Sequence, residues 1–283
     1  MMQIERFTKA QVDALLPGRK PETSKNDYGR VWAFCGSSGY TGAPYFATQG
    51  AVRMGSGIVT LAVPVDIYPI LAVKLNEPVI YPYTEDNWQD ALHRAERSAA
   101  CLIGSGLGHF AAFRELTLTA LTSLPCPIVL DADGINALGG HIDRLCSTAH
   151  PVVLTPHAGE FSRLTGIDHP TAEDAAAFAV RYGCVLLLKG YRTVVAAPDG
   201  TVTCNTTGNP GMAKGGSGDV LAGMILSLIG QGLRPADAAR VGAWLHGRCG
   251  DVCANRLSEY GMTPTDMLGV LPEVLHEYNT REW

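Results

Sequence analysis

The chain has 283 residues, of which 46% are hydrophobic and 17% charged, and its formal net charge is −5. That balance excludes a disordered chain and leaves one large α/β domain or two small ones. No basic run accompanies the negative charge, which excludes a nucleic-acid partner, and no segment approaches the ~18 apolar residues of a membrane span.

Residues 4–16 carry a partial apolar face (Ile4, Phe7, Val12, Leu15, Leu16) and predict a short helix, followed by a polar connector to Asp27. This start has no apolar leader-like run. Arg30 to Cys35 reads as a buried strand, 43–54 as a helix of small residues and 57–64 as an alternating strand. A helix near 67–75 and the segment from Glu77 to Pro82 follow. Residues 99–103, 127–130, 151–154 and 185–189 read as short strands, with helices over 110–121, from Glu160, and over 172–182. Residues 194–197 and 202–205 flank Pro198-Asp-Gly200 and read as a hairpin. Helices over 219–229, 235–256 and 266–278 close the chain, with Pro235 in a first turn. Short buried strands alternating with helices predict one doubly wound α/β domain, with a mostly parallel central sheet and helices on both faces. No Pro-, Gly- or Ser-rich linker divides it. The expected division is 1–24 as N-terminal helix and connector, and 25–279 as the domain.

Ligands of such sheets lie beyond the carboxyl ends of the strands. Five strand ends here carry polar or glycine-rich runs: 36–43, 104–108, 131–136, 155–160 and 189–193. The richest run is 208–224, Gly-Asn-Pro-Gly-Met-Ala-Lys-Gly-Gly-Ser-Gly-Asp-Val-Leu-Ala-Gly-Met, a glycine loop entering an apolar helix with Ser217 as the expected N-cap. The free amides and positive dipole end of that helix suit a phosphate or developing anion. Asp219 stands beside this anion hole, where a carboxylate makes more sense as a general base than as a phosphate binder. The plainer alternative is a flexible loop in which Asp219 favours the helix dipole. Neither a Walker A loop nor a dinucleotide fingerprint is present here. Eight cysteines, none in a Cys-x-x-Cys pair, read as buried reduced thiols of a cytoplasmic protein, and the scattered histidines argue against zinc.

The run 208–223 resembles the signature of the NAD(P)H-hydrate dehydratases, a branch of the ribokinase-like superfamily. Thr155-Pro-His-Ala-Gly-Glu160, Asp131-Ala-Asp133, 36–43 and Lys189-Gly-x-x-Thr193 match the family's other blocks in the same order, over roughly residues 25 to 275. The resemblance implies a ribokinase-like domain that repairs the S epimer of 6-hydrated NADH or NADPH, uses ADP and releases AMP and phosphate. It also implies Mg²⁺ and a homotetramer. The stretch before residue 25 is too short for the epimerase domain often fused to this family, so an NAD(P)H-hydrate epimerase on a separate chain is the expected functional partner.

By the same resemblance, Lys189, Gly190, Tyr191, Arg192, Thr193 and Gly218 hold the adenine nucleotide. Ala43, Gly106, His157 and Asp219 line the hydrate pocket, with Asp219 catalytic. The amides of Gly216, Ser217 and Gly218 form the anion hole. Glu160 either places Mg²⁺ through water or caps its helix, and Asn209 is a second candidate near metal or phosphate. Asp131 and Asp133 orient Asn136 and the loop or contact ligand, and Lys214 aids phosphate binding or is solvated. A small-molecule kinase of the same superfamily, acting on a hydroxymethylpyrimidine, a pyridoxal-type alcohol or a sugar, would show the same loop and aspartate. An idle nucleotide-binding module is the third reading.

Overall fold

A computed structural model of the chain describes residues 3–278, so Asn279, the expected end of the domain, lies outside the described residues. The chain opens on strand β1 (Ile4–Arg6) and helix α1 (Lys9–Leu15). A capping box starts α1: the Thr8 hydroxyl accepts from the Gln11 amide, and the Gln11 side chain accepts from the Thr8 amide. Three strand–helix units follow, β2 (Arg30–Phe34) with α2 (Gly42–Arg53), β3 (Ile58–Pro64) with α3 (Tyr68–Lys74), and β4 (Val79–Tyr83) with α4 (Trp88–Ala95). Next come β5 (Ala100–Ile103), α5 (Phe113–Ser123), β6 (Ile128–Leu130) and α6 (Asp133–Asn136). Then follow β7 (Val152–Leu154), α7 (Ala158–Thr165), α8 (Ala172–Tyr182) and β8 (Val185–Leu188). The hairpin of β9 (Val194–Ala196) and β10 (Val202–Cys204) precedes α9 (Ser217–Gly230), α10 (Pro235–Gly261) and α11 (Pro264–His276).

All ten strands form one sheet, ordered β1-β10-β9-β8-β7-β6-β5-β2-β3-β4. From β8 to β4 every neighbour is parallel, while β9 is antiparallel to both β8 and β10. The order reverses between β5 and β2, because β2, β3 and β4 progress one way and β5, β6, β7 and β8 the other. The pairings Phe34 with Ile103, Ile103 with Leu130, and Leu130 with Leu154 bring the carboxyl ends of the central strands level.

Both faces of the sheet are covered, so the central strands read as continuous apolar runs. Alternate residues enter two cores. Val31, Ala33, Leu102, Val129 and Val153 face α2, α9, α10 and α11, whereas Phe34, Ile103, Leu130 and Leu154 face α4, α5 and α8.

Two expectations about element type and extent fail. The helix expected over 4–16 begins only at Lys9. Residues Ile4–Arg6 instead pair in parallel with Val202–Cys204 and extend the sheet edge. Three residues are too few to show strand periodicity, and their apolar spacing merges with that of the helix behind them. The helix α4 was not expected at all, although Trp88, Ala91, Leu92 and Ala95 bury one face at helical spacing.

Helix α9 lies against α2 almost backbone to backbone. A Cβ on Gly50 would stand 2.6 Å from the Val220 carbonyl oxygen, and one on Gly223 would collide with the Ala47 carbonyl. Gly223→Ala is therefore expected to destabilise the protein by about 1–3 kcal/mol despite alanine's better helix propensity. Gly269→Ala, on the open face of α11 with nothing within 4 Å of its new Cβ, should stabilise it by about 0.5–1 kcal/mol. Urea unfolding midpoints moving in the same direction for both variants would contradict the packing argument.

Candidate active site

The five polar runs sit at the carboxyl ends of β2, β5, β6, β7 and β8, which are immediate neighbours in the sheet. They form one continuous rim, and the order reversal between β2 and β5 opens the crevice in its midst. At the reversal the Gly36 amide donates to the Ser105 carbonyl at 2.9 Å, and the buried Ser37 hydroxyl donates to the Gly106 carbonyl at 2.8 Å. These bonds bring Ala43 and Gly106 together, for a Cβ on Gly106 would lie 2.9 Å from that of Ala43.

The centre of the rim is Asp131, at the end of β6 and only 2% exposed. Ser105 Oγ donates to its Oδ2 at 2.9 Å, Thr155 Oγ1 to its Oδ1 at 2.8 Å, and Lys189 Nζ to its Oδ1 at 3.1 Å. One donor thus comes from the end of each of β5, β7 and β8. Asp133 does a parallel job one step outward. It accepts from the Gly108 amide at 2.8 Å and from the Asn136 side chain at 3.1 Å, which supports the orienting role for this pair of acids. Ala132 between them has φ 46°, an unfavourable region for a residue with a Cβ, held by the bonds on either side.

Lys189 does not project into solvent as a strand-end lysine would. The ladder of β7 and β8 continues through a bridge between His157 and Lys189, so both stand over the first turn of α7. There Glu160 Oε2 accepts the His157 amide at 2.8 Å and His157 Nδ1 accepts the Glu160 amide at 3.2 Å, a reciprocal cap. The Lys189 ammonium also lies 3.8 Å from Glu160 Oε2. Burial works against its charge, but Asp131, Glu160 and Asp219 outweigh that and hold its pKa above the usual lysine value.

Across from it, α9 presents its amino terminus. Gly216, with φ 96°, caps the helix, and a Cβ there would press into the Phe46 ring at 2.6 Å. The cap therefore falls one residue before Ser217, the expected N-cap. Ser217 is the first helical residue, and its hydroxyl meets Nε2 of the buried His246 at 3.3 Å. Burial pushes the His246 pKa down to about 4, so this ring is neutral near pH 7. The Ser217 amide donates to the Lys214 carbonyl at 3.2 Å. Among the described residues, that leaves the amides of Gly216, Gly218 and Asp219 as the open donors of the hole. A Cβ on Gly218 would stand 3.2 Å from Lys189 Nζ, so the ammonium and the helix terminus converge on one spot.

Asp219 completes the site. It is half-buried. Burial first, then repulsion from Asp131, pushes its carboxyl up to about 7 against the opposing pull of Lys189, with Glu160 adding to the rise. The Cys35 thiol beneath it is fully buried, and burial together with Asp219 and Asp131 raises it well above the usual value, so it is inert.

The remaining sequence candidates are more peripheral. Gly190 to Thr193 form a tight turn in which the Thr193 hydroxyl donates to the Gly190 carbonyl at 3.2 Å. Tyr191 is 91% exposed, with the Arg192 guanidinium 5.3 Å from its ring centre. Asn209 is committed structurally: its Oδ1 accepts the Gly211 amide at 3.0 Å, and its Nδ2 donates to Asp251 at 3.2 Å. Lys214 turns away from the hole and donates to the Tyr260 and Met262 carbonyls, where Ser258 (φ 68°) kinks α10. Six of the eight cysteines are buried; Cys146 is exposed and Cys204 lies between. Sequence reasoning missed Ser105, Thr155 and His246 as parts of the site. The first two were legible as hydroxyls at strand ends beside an aspartate, whereas nothing marked His246 within its long helix.

A family model for NAD(P)H-hydrate dehydratases matches residues 31–273. The chain belongs to the NAD(P)H-hydrate dehydratase family. The ADP-dependent (S)-NAD(P)H-hydrate dehydratase of Bacillus subtilis is 34% identical over 280 residues, covering 96% of this chain and 98% of that one. The bifunctional NAD(P)H-hydrate repair enzyme Nnr of Moorella thermoacetica is 43% identical over 282 residues, 95% of this chain, which in turn spans about half (53%) of that relative. Among solved structures, the ADP/ATP-dependent NAD(P)H-hydrate dehydratase from B. subtilis, co-crystallised with ATP and Mg²⁺, superposes with a TM-score of 0.88 at 32% identity, covering 98% of this chain and 100% of that one. The fold is the ribokinase-like one expected for the family.

In this family member the Asp219 carboxyl has a higher pKa folded than unfolded, so its ionised form opposes folding. The penalty is fully present above about pH 7 and fades as the pH falls through 7 toward the unfolded value of 3.8. Asp219→Asn should therefore melt a few degrees above wild type at pH 8, with the gain shrinking steadily as the pH is lowered to 5. Melting curves with an equal gain at both pH values would remove burial and repulsion as the cause.

Proposed function

We propose that the chain dehydrates the S epimer of NAD(P)H hydrate back to NAD(P)H, using ADP and releasing AMP and phosphate. Asp219 carries this reading: a half-buried carboxyl raised to about 7, at a helix terminus whose open amides converge with Lys189. In the first step Asp219 takes the proton of the C6 hydroxyl as that oxygen attacks the β-phosphoryl group of ADP. The new phosphorus–oxygen bond forms as the bond to AMP breaks. The Gly216, Gly218 and Asp219 amides and the Lys189 ammonium stabilise the charge on the transferring group. In the second step the ring-nitrogen lone pair expels phosphate from C6, and loss of a C5 proton restores the C5–C6 double bond. Ala43, Gly106 and His157 line the hydrate side, while Gly190 to Thr193 hold the nucleotide beyond Lys189.

The nucleotide-dependent step implies Mg²⁺, which binds through one or two carboxylates and the substrate's phosphates and keeps several waters. Glu160 fits that role, since its Oε2 is committed to the His157 amide and its Oε1 has only the His157 ring at 3.6 Å. Bound there, the ion would offset phosphate charge. Asn209, already committed on both sides of its amide, fits it less well.

The same reading extends to a catalytic domain over 25–279, a homotetramer, a cytoplasmic setting and an epimerase on another chain that supplies the S epimer. The described residues include no helix long and apolar enough to cross a membrane. A ribokinase-superfamily kinase would share the loop and Asp219, and the block from Thr155 to Glu160 argues for the dehydratase instead.

Incubating the purified protein with hydrated NADH, Mg²⁺ and ADP or ATP should restore absorbance near 340 nm with ADP. Recovery only with ATP would overturn the donor, and no recovery with either would turn attention to small alcohols as kinase substrates. Asp219→Asn should lose most activity yet keep ADP binding; activity within about tenfold of wild type would rule Asp219 out as the base. Because the base must be ionised, kcat/KM should fall on the acid side with a midpoint near pH 7.

A further inference from the structure

The opposite end of the sheet carries a second cavity, of about 600 Å³, within the range of small-ligand pockets. It lies where the amino-terminal halves of β2, β3 and β4 meet α4, one strand length, roughly 15 Å, from the Asp219 cleft. Its wall is aromatic: the Trp32 and Tyr81 rings are 5.9 Å apart, and the Arg94 guanidinium lies 5.2 Å from the Tyr81 ring centre. Arg30 and Arg97 line the same groove. Arg30 donates to Asn26 at 2.8 Å, and the arginines that form ion pairs lie elsewhere, at 234, 240, 248 and 256. Asp90 is the only acid among the described lining residues.

A second, independent observation comes from Trp32. Its side chain is almost fully buried, with the residue 8% exposed, and its indole N–H has no acceptor among the described residues. A buried donor without a partner is costly enough to call for an explanation. Three guanidinium groups against one carboxylate leave a formal excess of about two positive charges, which matches a phosphate dianion. The Tyr81 ring, tilted 53° from that of Trp32, gives the groove an aromatic surface for a planar ring.

We infer that this groove binds a small aromatic phosphate, with Arg30, Arg94 and Arg97 on the phosphate, Tyr81 against the ring and the Trp32 indole N–H as a further donor. The site is separate from the cleft and requires nothing of its chemistry.

The test is isothermal titration of the full chain with phenyl phosphate, with inorganic phosphate as the ringless control. One saturable site per chain is expected, unaffected by saturating ADP, with inorganic phosphate at least tenfold weaker. The double variant Arg94→Ala, Arg97→Ala should bind phenyl phosphate at least tenfold more weakly with its melting temperature unchanged, and Trp32→Phe severalfold more weakly. Absence of saturable binding, displacement by ADP, or wild-type affinity in the double variant would overturn the site. Equal affinity for inorganic phosphate would overturn the ring recognition.

Discussion

One buried carboxylate holds the rim of this protein together. Asp131 ends β6, the middle one of the five strands that form the rim, and takes one donor from the end of each of β5, β7 and β8, through Ser105, Thr155 and Lys189. A charge in that position is tolerable only when each of its oxygens is satisfied. The requirement fixes three loops relative to one another before any ligand arrives. It also fixes the Lys189 ammonium, which has Asp131 on one side and Glu160 on the other, and which therefore points at the α9 terminus rather than into solvent.

The cleft as a result packs both signs of charge together. The helix terminus and Lys189 supply positive potential, and Asp131, Glu160 and Asp219 crowd negative charge around them. Asp219 is the member of the acid group with the least compensation, since Lys189 is already engaged by the other two. Its affinity for a proton is set first by burial and then by the neighbouring acids, which stand on elements outside its own helix. His246, neutral and buried, steadies the same terminus from behind through the Ser217 hydroxyl.

Much of this was legible in the amino-acid order. The apolar runs ending in polar or glycine-rich residues marked the strands and their carboxyl ends, and the glycine loop before an apolar helix marked the anion site. What was not legible involves partners distant in sequence. Ile4–Arg6 has strand character only because Val202–Cys204 lies beside it. Ser217 looked like a cap because serine commonly is one. Gly216 takes that place, as its positive φ allows the turn one residue earlier and the Phe46 ring forbids a larger residue. Asn209 was expected near metal or phosphate and Lys214 either at the phosphate or in solvent, yet each is drawn off by α10, through Asp251 and through the carbonyls near its kink. Position in a motif brought residues to the right neighbourhood, and side-chain direction was decided by helices packed much later in the chain.

The pairing of β1 with β10 bears on how the molecule is made. The edge strand is synthesised roughly two hundred residues before its partner. Until then Ile4–Arg6 is an unpaired strand that must avoid other chains, and short length together with the charges of Glu5 and Arg6 suits it to waiting. Completion of the sheet is thus a late, long-range closure, of the kind that slows folding. The Asp131 cluster draws only on residues up to 189, so all of its members precede α9 in the chain, whereas the sheet face beneath them is covered only once α9, α10 and α11 are present.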